Sequence, residues 1–262
     1  MSITNKLSGA VIALGLAAMS SPTNAPAQIP EPVPVKNVLL VHGAWVDGSS
    51  WSKVIPLLQA KGLHVVSVQI PLTSLADDVA ATDRAIASSD GPVRLVGHSY
   101  GGVVITQAGN NPKVKGLVYI AAFAPDLGES VLSLAKSSPV QPPAASQIIA
   151  DNTGFTTISK QGIEEDFAEE LSGSEKAVLF ATQVPASAPN ALGAPVTEPA
   201  WKAKPSWTLV TLNDRVLPSQ AQETMAQRSG SRVASLAASH LVILAHPKDV
   251  ADLIERAANG KK

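Results

Sequence analysis

The sequence predicts an α/β fold in which helices cover both faces of a mostly parallel sheet. Three observations support this prediction. Short aliphatic runs, each typical of a buried parallel strand, recur along the chain. These runs alternate with helical patterns, as in chains that build such sheets. The 262 residues, 45% of them hydrophobic, suit one large domain, and no repeat or second-domain signal is present.

The first half of the chain gives the clearer alternation. Strands are predicted at 37–42, His64–Val68, 93–96 and 114–121. The intervening helices are predicted from the capping pair Ser49-Ser50 to Ala60-Lys61, over Leu75–Ser88, and from Gly101 to the stop at Asn110-Asn111-Pro112. Ligands of such sheets bind beyond the carboxyl ends of the strands, so the site is expected there.

The alternation is interrupted over residues 127–201 and then resumes. This segment, called the cap below, holds many prolines, serines and alanines and two helical runs, 163–171 and 174–182. We expect it to cover the site and to bury its larger apolar residues against the sheet edge and the substrate. Those residues are Leu132, Ile148, Phe155, Phe167, Leu179 and Phe180. The elements predicted after the cap are strands 206–212 and Arg232–Leu236, helix 220–228, a loop 237–240 and a last helix that Pro247 begins.

Composition excludes several classes of function. The net charge is −1 and no basic cluster is present, which argues against a nucleic-acid partner. Cysteine is absent, which removes disulfides, thiolate zinc sites and a cysteine nucleophile. No metal or organic cofactor is implied, and the expected partner is a small-molecule substrate.

The N-terminus has the pattern of an export signal. Residues 1–27 combine one early positive charge, an apolar run and the small-residue site Ala25-Pro26-Ala27, which predicts a cleaved signal peptide. The apolar run is too short for a stable membrane anchor. Residues 28–36 alternate with proline and predict an extended lead-in to a single domain at 37–262. We therefore expect a periplasmic or secreted protein.

One stretch carries the chemistry. Residues 97–101 read Gly-His-Ser-Tyr-Gly between a strand and a helix, which is the pattern of a nucleophile elbow. The turn is so tight that a side chain two residues to either side of the serine would collide with the backbone, and glycine avoids this. The five letters alone are a weak signal, whereas their position between strand and helix is specific. Ser99 is the predicted covalent nucleophile.

A serine nucleophile needs a base, and the base needs an acid to orient it. In folds with this elbow the acid and then the histidine follow the serine along the chain. His240, on the loop after the last short strand, is the preferred base, and His246, directly before Pro247, is its competitor. Asp214, at the end of strand 206–212, is the preferred acid. Asp126 is the alternative acid.

The same site needs two backbone donors for the negative charge that develops on the substrate oxygen. One is the amide of Tyr100, which follows the nucleophile. The other is the amide of Ala44, on the loop after the first strand. Gly43, Trp45 and His98 are predicted to contact the substrate, although His98 points away from the attacking side of the serine.

Together these residues carry a resemblance. The motifs Val41-His-Gly-Ala-Trp45, Gly97-His-Ser-Tyr-Gly-Gly102, Ala121-Ala-Phe-Ala-Pro-Asp126, Asn213-Asp-Arg215 and Ser239-His240 resemble the α/β-hydrolase superfamily. From residue 37 onward the chain is similar to small bacterial hydrolases and to the plant methylesterase and hydroxynitrile-lyase group. The resemblance implies Ser99, Asp214 and His240 as a triad.

Two departures from that group narrow the chemistry. Its lyases carry lysine after the catalytic histidine and threonine after the histidine of the first strand, where this chain has Leu241 and Gly43. Cyanohydrin cleavage is therefore disfavoured. Dehalogenases and epoxide hydrolases of the superfamily use an aspartate nucleophile, and Ser99 disfavours both.

We therefore expect a serine hydrolase that cleaves carboxylic esters through an acyl-enzyme. A cofactor-free perhydrolase, or an amide or lactone hydrolase, could use the same triad. A hydrolase fold retained as a non-catalytic binding module is the alternative from another class. The physiological substrate, the acyl and alcohol preference and the oligomeric state are left open by the sequence.

Overall fold

A six-stranded parallel sheet lies at the centre of the molecule, in the order β2-β1-β3-β4-β8-β9. The computed structural model describes residues 1–2 and 29–261. The strands are β1 Asn37–Val41, β2 His64–Val68, β3 Val93–His98, β4 Val114–Ile120, β5 Ile148–Ala150, β6 Phe155–Ile158, β7 Ala186–Ser187, β8 Ser206–Thr211 and β9 Arg232–Leu236. The helices are α1 Ile55–Ala60, α2 Leu75–Ser88, α3 Gly101–Ala108, α4 Val131–Ser137, α5 Lys160–Gly162, α6 Gly173–Ala181, α7 Ser219–Arg228, α8 Val242–Ala245 and α9 Pro247–Ala258. The predicted α/β class and parallel sheet are confirmed.

Alternate residues of each central strand feed two separate cores. In β1, Leu39 and Val41 pack on one face with α2, α3 and part of the cap. Val38 and Leu40 pack on the other face with α1, α8 and α9. Burial on both faces explains why these strands read as continuous aliphatic runs instead of alternating with polar residues.

The predicted helix from Ser49-Ser50 to Ala60-Lys61 is divided in two. Asp47, through its side chain, caps a short 3-10 helix at Gly48–Trp51, and α1 begins only at Ile55. Pro56 stands in the first turn of α1, where its missing N–H costs nothing. The α-helix therefore begins at Ile55, next to the proline, and not at the serine pair.

The cap contains structure that the sequence does not indicate. Strands β5, β6 and β7 form a small antiparallel sheet, and α4 precedes them. Of the expected helical run 163–171, only Ile163–Phe167 is helical, as a π-helix that directly follows α5, and the run 174–182 corresponds to α6. Strands of two to four residues are too short to display a period, so their pairing is a tertiary effect.

Burial of the cap's apolar residues is partial. Phe167 is buried, and Phe155 and Leu179 are half-buried. Leu132, Ile148 and Phe180 are exposed to solvent, contrary to the expectation that the cap buries them. One side of the cap therefore packs on the sheet, while the other side presents these residues outward.

The lead-in and the chain end contact the amino ends of the central strands β3 and β8. Arg94 is fully buried, stacks over the Trp207 ring and donates to the carbonyl of Val33 at 2.9 Å. Trp207 donates its Nε1–H to the carbonyl of Lys261 at 3.0 Å. Residues 29–36 have no helix or strand. The predicted signal peptide lies outside the described residues except for residues 1–2.

No helix within residues 29–261 is both long and apolar enough to cross a membrane.

The approach of α3 to the sheet gives a test of the packing. A Cβ added to Gly102 would overlap the carbonyl oxygen of Phe123 and lie 2.9 Å from the Ala122 Cβ. Gly102→Ala is therefore expected to lower the free energy of unfolding by about 2–3 kcal/mol, as overpacking does in a rigid core. Gly173, at the start of α6, has no heavy atom within 4 Å of an added Cβ. Gly173→Ala should leave stability unchanged or raise it by up to about 1 kcal/mol. Urea unfolding measures both, and equal stability of the two variants would contradict the described contact.

Candidate active site

Ser99 occupies the sharp turn between β3 and α3. Its φ is 52°, a left-handed conformation that costs an L-residue about 1–2 kcal/mol. A Cβ on Gly97 would lie 2.5 Å from the carbonyl carbon of Gly101, so the turn closes only with glycine at that position. The strain lifts the serine hydroxyl out of the regular strand and helix, as expected for a nucleophile elbow.

His240 bridges Ser99 and Asp214. Its Nε2 lies 2.9 Å from the Ser99 Oγ, and its Nδ1 lies 2.8 Å from the Asp214 Oδ2. A carboxylate only accepts, so Nδ1 carries the proton and Nε2 is free to accept the serine O–H. Side chains from the ends of β3 and β8 and from the loop after β9 thus form one hydrogen-bonded line.

Asp214 is held by four further donors. Its Oδ2 accepts from the Thr211 hydroxyl at 2.9 Å and from the Gln222 amide at 3.0 Å. Its Oδ1 accepts from the backbone amides of Val216 at 2.9 Å and Leu217 at 2.8 Å. The carboxylate is therefore fixed in position toward His240 and remains well solvated by protein groups. The sequence does not single out Thr211, at the end of β8 and three residues before Asp214, or Gln222, in α7 and eight residues after it.

The competing acid and base lie elsewhere. Asp126 pairs with Lys202 at 2.5 Å, near the surface. His246 is half-exposed and pairs with Glu170 at 2.9 Å. The structure thus brings Asp214 and His240, and not Asp126 and His246, to Ser99.

The two predicted oxyanion donors have free amide groups. Within the described residues, neither the Ala44 nor the Tyr100 amide donates to another protein group. The Ser99 carbonyl accepts from the amides of Gly102 at 3.0 Å and Phe123 at 3.2 Å. The carbonyl and the next amide of a trans peptide point in opposite directions. Fixing the Ser99 carbonyl therefore fixes the direction of the Tyr100 N–H.

The Ala44 amide is fixed in the same way. Ile70 donates its amide to the His42 Nε2 at 3.2 Å, so the proton of His42 sits on Nδ1, which donates to the Gly43 carbonyl at 2.9 Å. Burial lowers the pKa of His42 and keeps this ring neutral. A Cβ on Gly43 would lie 2.8 Å from the Ser99 Cβ, which shows how closely this loop approaches the nucleophile.

Two aromatic residues, Trp45 and Phe167, cover the site. The Trp45 Nε1–H donates to the Thr156 hydroxyl of the cap at 3.2 Å, and the Trp45 ring packs edge-on against Phe167 at 5.9 Å. Phe167 also lies 5.4 Å from the His240 ring. Ser99 is consequently only 7% exposed. The predicted substrate residue Trp45 and the cap therefore meet directly above the triad.

Polar contacts join the cap to the loops that hold Asp214 and His240. Asp166, next to Phe167, pairs with Arg215 at 2.7 Å. Glu170 accepts from the Ser239 amide at 2.5 Å, besides its contact with His246. Burial raises the pKa of Glu170, but its hydrogen bonds from His246 and Ser239 outweigh this and lower it overall.

The prediction that His98 contacts substrate does not agree with its position. Its side chain is fully buried beneath His240, and its Nε2–H donates to the His240 carbonyl at 2.9 Å. Burial lowers the pKa of His98 to about 3, so the ring is neutral. His98 therefore contacts the backbone of the loop that holds His240, and its side chain is not exposed to solvent.

A cavity of about 260 Å³ opens beside the site, between α4 and α7. Phe123 and Leu217 line it, along with Leu134 and Met225. None of the three triad side chains lines it. It lies behind the loops that hold Ser99 and Asp214 in place. The part of the chain that the structure describes contains no group of three or more histidines, aspartates and glutamates that could hold a metal ion.

One family model and several known hydrolases are similar to this chain in sequence. A family model described as "Alpha/beta hydrolase family" matches residues 38–253. The pyrethroid hydrolase of Sphingobium wenxiniae is 26% identical over 247 residues, covering 84% of this chain and 86% of that protein. The carbendazim hydrolyzing esterase of Nocardioides sp. is 34% identical over 114 residues, covering 37% of this chain. That match spans only 46% of the Nocardioides esterase, less than half of its length.

Solved structures share the fold. A pyrethroid hydrolase from Sphingobium faniae superposes with a TM-score of 0.74 at 24% identity, covering 85% of this chain and 97% of the other. Polyneuridine aldehyde esterase superposes with a TM-score of 0.69 at 18% identity, covering 83% and 96%.

The buried His98 predicts a dependence of stability on pH. A histidine titrates near pH 6.5 in the unfolded chain, and near 3 at this position in the folded protein. Between these values the unfolded chain binds a proton that the folded protein does not, so the free energy of unfolding falls as the pH is lowered. The loss is about 1.4 kcal/mol per pH unit, or about 2–3 kcal/mol from pH 6.5 to 4.5. His98→Gln keeps a donor for the His240 carbonyl and should lose less stability over this range by that amount. Denaturant unfolding at several pH values measures the slopes, and identical slopes would contradict the assignment.

Proposed function

The chain belongs to the alpha/beta hydrolase family, and we propose that it is an esterase that cleaves carboxylic esters through an acyl-enzyme formed on Ser99. The observation that carries the proposal is the hydrogen-bonded line from Ser99 through His240 to Asp214. Each residue has the chemical character and the neighbour that its role needs. The names of the relatives, a pyrethroid hydrolase and a carbendazim hydrolyzing esterase, support ester cleavage as the reaction.

Acylation begins at Ser99. Its Oγ attacks the carbonyl carbon of the ester while His240 takes the hydroxyl proton on Nε2. Asp214 holds the ring in the tautomer that leaves Nε2 free and stabilises the positive charge that His240 gains. The amides of Ala44 and Tyr100 donate to the negative oxygen of the tetrahedral intermediate. When the carbon–oxygen bond of the leaving alcohol breaks, His240 returns the proton to that alcohol.

Deacylation repeats the sequence with water. His240 takes a proton from the water molecule that attacks the acyl carbon, and the same two amides stabilise the second intermediate. The Ser99 Oγ leaves and receives the proton from His240. The carboxylic acid is released and the enzyme returns to its starting state, with no cofactor required.

The surroundings of the nucleophile support a small, uncharged substrate. Trp45 and Phe167 cover Ser99, and the apolar residues Leu171 and Leu192 belong to the same buried cluster. A charged substrate would lose its hydration in this environment without a partner charge. We propose Gly43 and Trp45 as the residues that border the ester, with an aromatic or aliphatic group beneath the cap.

Replacement of the nucleophile tests the proposal. Ser99→Ala is expected to lower kcat on activated short-chain aryl esters by about 10⁴-fold or more, because the covalent route is removed. A fluorophosphonate probe should label the wild-type protein at Ser99 and leave the variant unlabelled. Ester hydrolysis and mass spectrometry of the labelled peptide provide the two measurements.

Ser88→Ala is the matched control, because Ser88 is an exposed serine of α2 whose hydroxyl donates to the carbonyl of Arg84, one turn earlier in the same helix. It should keep full activity and labelling. A label on a residue other than Ser99, or full turnover by Ser99→Ala, would contradict the proposal. Faster turnover of a matched amide, lactone or peroxide substrate than of the ester would assign the same triad to that other reaction.

A further inference from the structure

Asp78 is a buried carboxylate that the reaction does not use directly. It lies in the first turn of α2 and is fully buried. The Tyr100 hydroxyl donates to its Oδ2 at 2.6 Å, and the Leu72 amide donates to its Oδ1 at 2.8 Å. The carboxylate therefore joins the nucleophile elbow to the segment between β2 and α2.

This carboxylate is costly to keep. Burial raises the pKa of Asp78 to about 6, and the hydrogen bonds from Tyr100 and Leu72 only partly offset that burial. The charged residue that acts on it, Asp77, has the same sign and raises the pKa further. An apolar residue would fill a core position without this cost. Costly polar residues of this kind concentrate where a structure serves a function.

Tyr100 is the residue through which Asp78 reaches the reaction. It follows Ser99, and its free amide is the second oxyanion donor proposed above. Its side chain is buried, and its hydroxyl ends on Asp78. The residue is thus restrained at both ends, by the Ser99 carbonyl on its backbone and by Asp78 at its hydroxyl. A strained turn persists only when its surroundings over-determine it, and this contact adds one such restraint.

The other partner of Asp78 carries the cap and lies beside the first oxyanion donor. Leu72 has a φ of 58°, and its carbonyl accepts from the amide of Ser187 in β7 at 2.9 Å. Two residues earlier, Ile70 donates to the His42 ring that orients the Ala44 amide. Residues 70–72 therefore support both oxyanion donors and one strand of the cap.

We propose that Asp78 is a positioning residue of the oxyanion hole. Its carboxylate holds the Tyr100 side chain and the Leu72 backbone, so that the Tyr100 amide remains aimed at the substrate oxygen while the cap is docked. The inference rests on the proposed esterase function and adds a residue that touches neither substrate nor triad. Asp78 is expected to stabilise the transition state and to leave substrate binding unchanged, because the oxyanion is absent from the bound substrate.

The test compares Tyr100→Phe, Asp78→Asn and the double variant on one activated aryl ester. Each single variant is expected to lower kcat by about 10–100-fold with little change in KM, as small displacements of catalytic groups do. The inhibition constant of a trifluoromethyl ketone that adds to the serine should rise by the same factor. The double variant should be no slower than the slower single variant, because both substitutions remove the same charge-assisted contact between the Tyr100 hydroxyl and the Asp78 carboxylate.

Tyr119→Phe is the matched control. It also removes a buried tyrosine hydroxyl, which contacts the Thr106 hydroxyl at 2.9 Å between β4 and α3 and not Asp78. It should lower stability by an amount similar to Tyr100→Phe and leave kcat and the inhibition constant unchanged. A kcat loss in Tyr119→Phe equal to that in Tyr100→Phe would show that the effect is general loss of stability, and would overturn the proposal.

Hydrogen exchange provides a readout that does not depend on activity. In Asp78→Asn, peptides containing residues 70–72 and 100–104 should exchange faster than in the wild type, whereas Tyr119→Phe should leave them unchanged. Unchanged exchange in Asp78→Asn, or wild-type kcat in Tyr100→Phe, overturns the positioning role while the esterase function stands. A wild-type protein that hydrolyses no ester and takes no label at Ser99 instead refutes the proposed function.

Discussion

Ser99 has a left-handed backbone conformation, and hydrogen bonds to its carbonyl hold it there. The Ser99 carbonyl accepts two amides, one from α3 and one from the loop after β4. Glycines at 97 and 102 let the helix approach the strand and the adjacent loop closely enough for these bonds to form. The same bonds direct the Tyr100 amide, so the geometry that strains Ser99, the proposed nucleophile, also orients the proposed oxyanion donor beside it.

The sequence allowed several residues of this candidate site to be predicted, because a parallel sheet limits where functional residues can lie. The carboxyl ends of neighbouring strands meet at one edge, so residues at those ends come together whatever their separation along the chain. Ser99 directly follows β3 and Asp214 follows β8, which are both continuously buried strands, whereas His240 follows β9, a partly buried edge strand. Continuous burial on both faces makes the aliphatic pattern of β3 and β8 strong, so the ends of these two strands are easier to locate than the end of β9.

The remainder depends on contacts that leave no local pattern. The strands of the cap are two to four residues long, and π-helices have no period that separates them from α-helices over one turn. The link from Asp78 to Tyr100 spans 22 positions, and Asp78 reads in sequence as an ordinary acidic residue at a helix start. His98 was expected beside the substrate because it lies in the elbow motif. It is the last residue of β3, and its side chain lies beneath His240.

The ties between the cap and the catalytic loops have a consequence for the timing of turnover. Asp166 holds the neighbour of Asp214, and Glu170 holds the neighbour of His240. Opening of the cap would therefore have to break these two contacts or carry the loops of Asp214 and His240 with it. Under the proposed mechanism, a movement that admits water to Ser99 would also disturb the hydrogen-bonded line from Ser99 through His240 to Asp214.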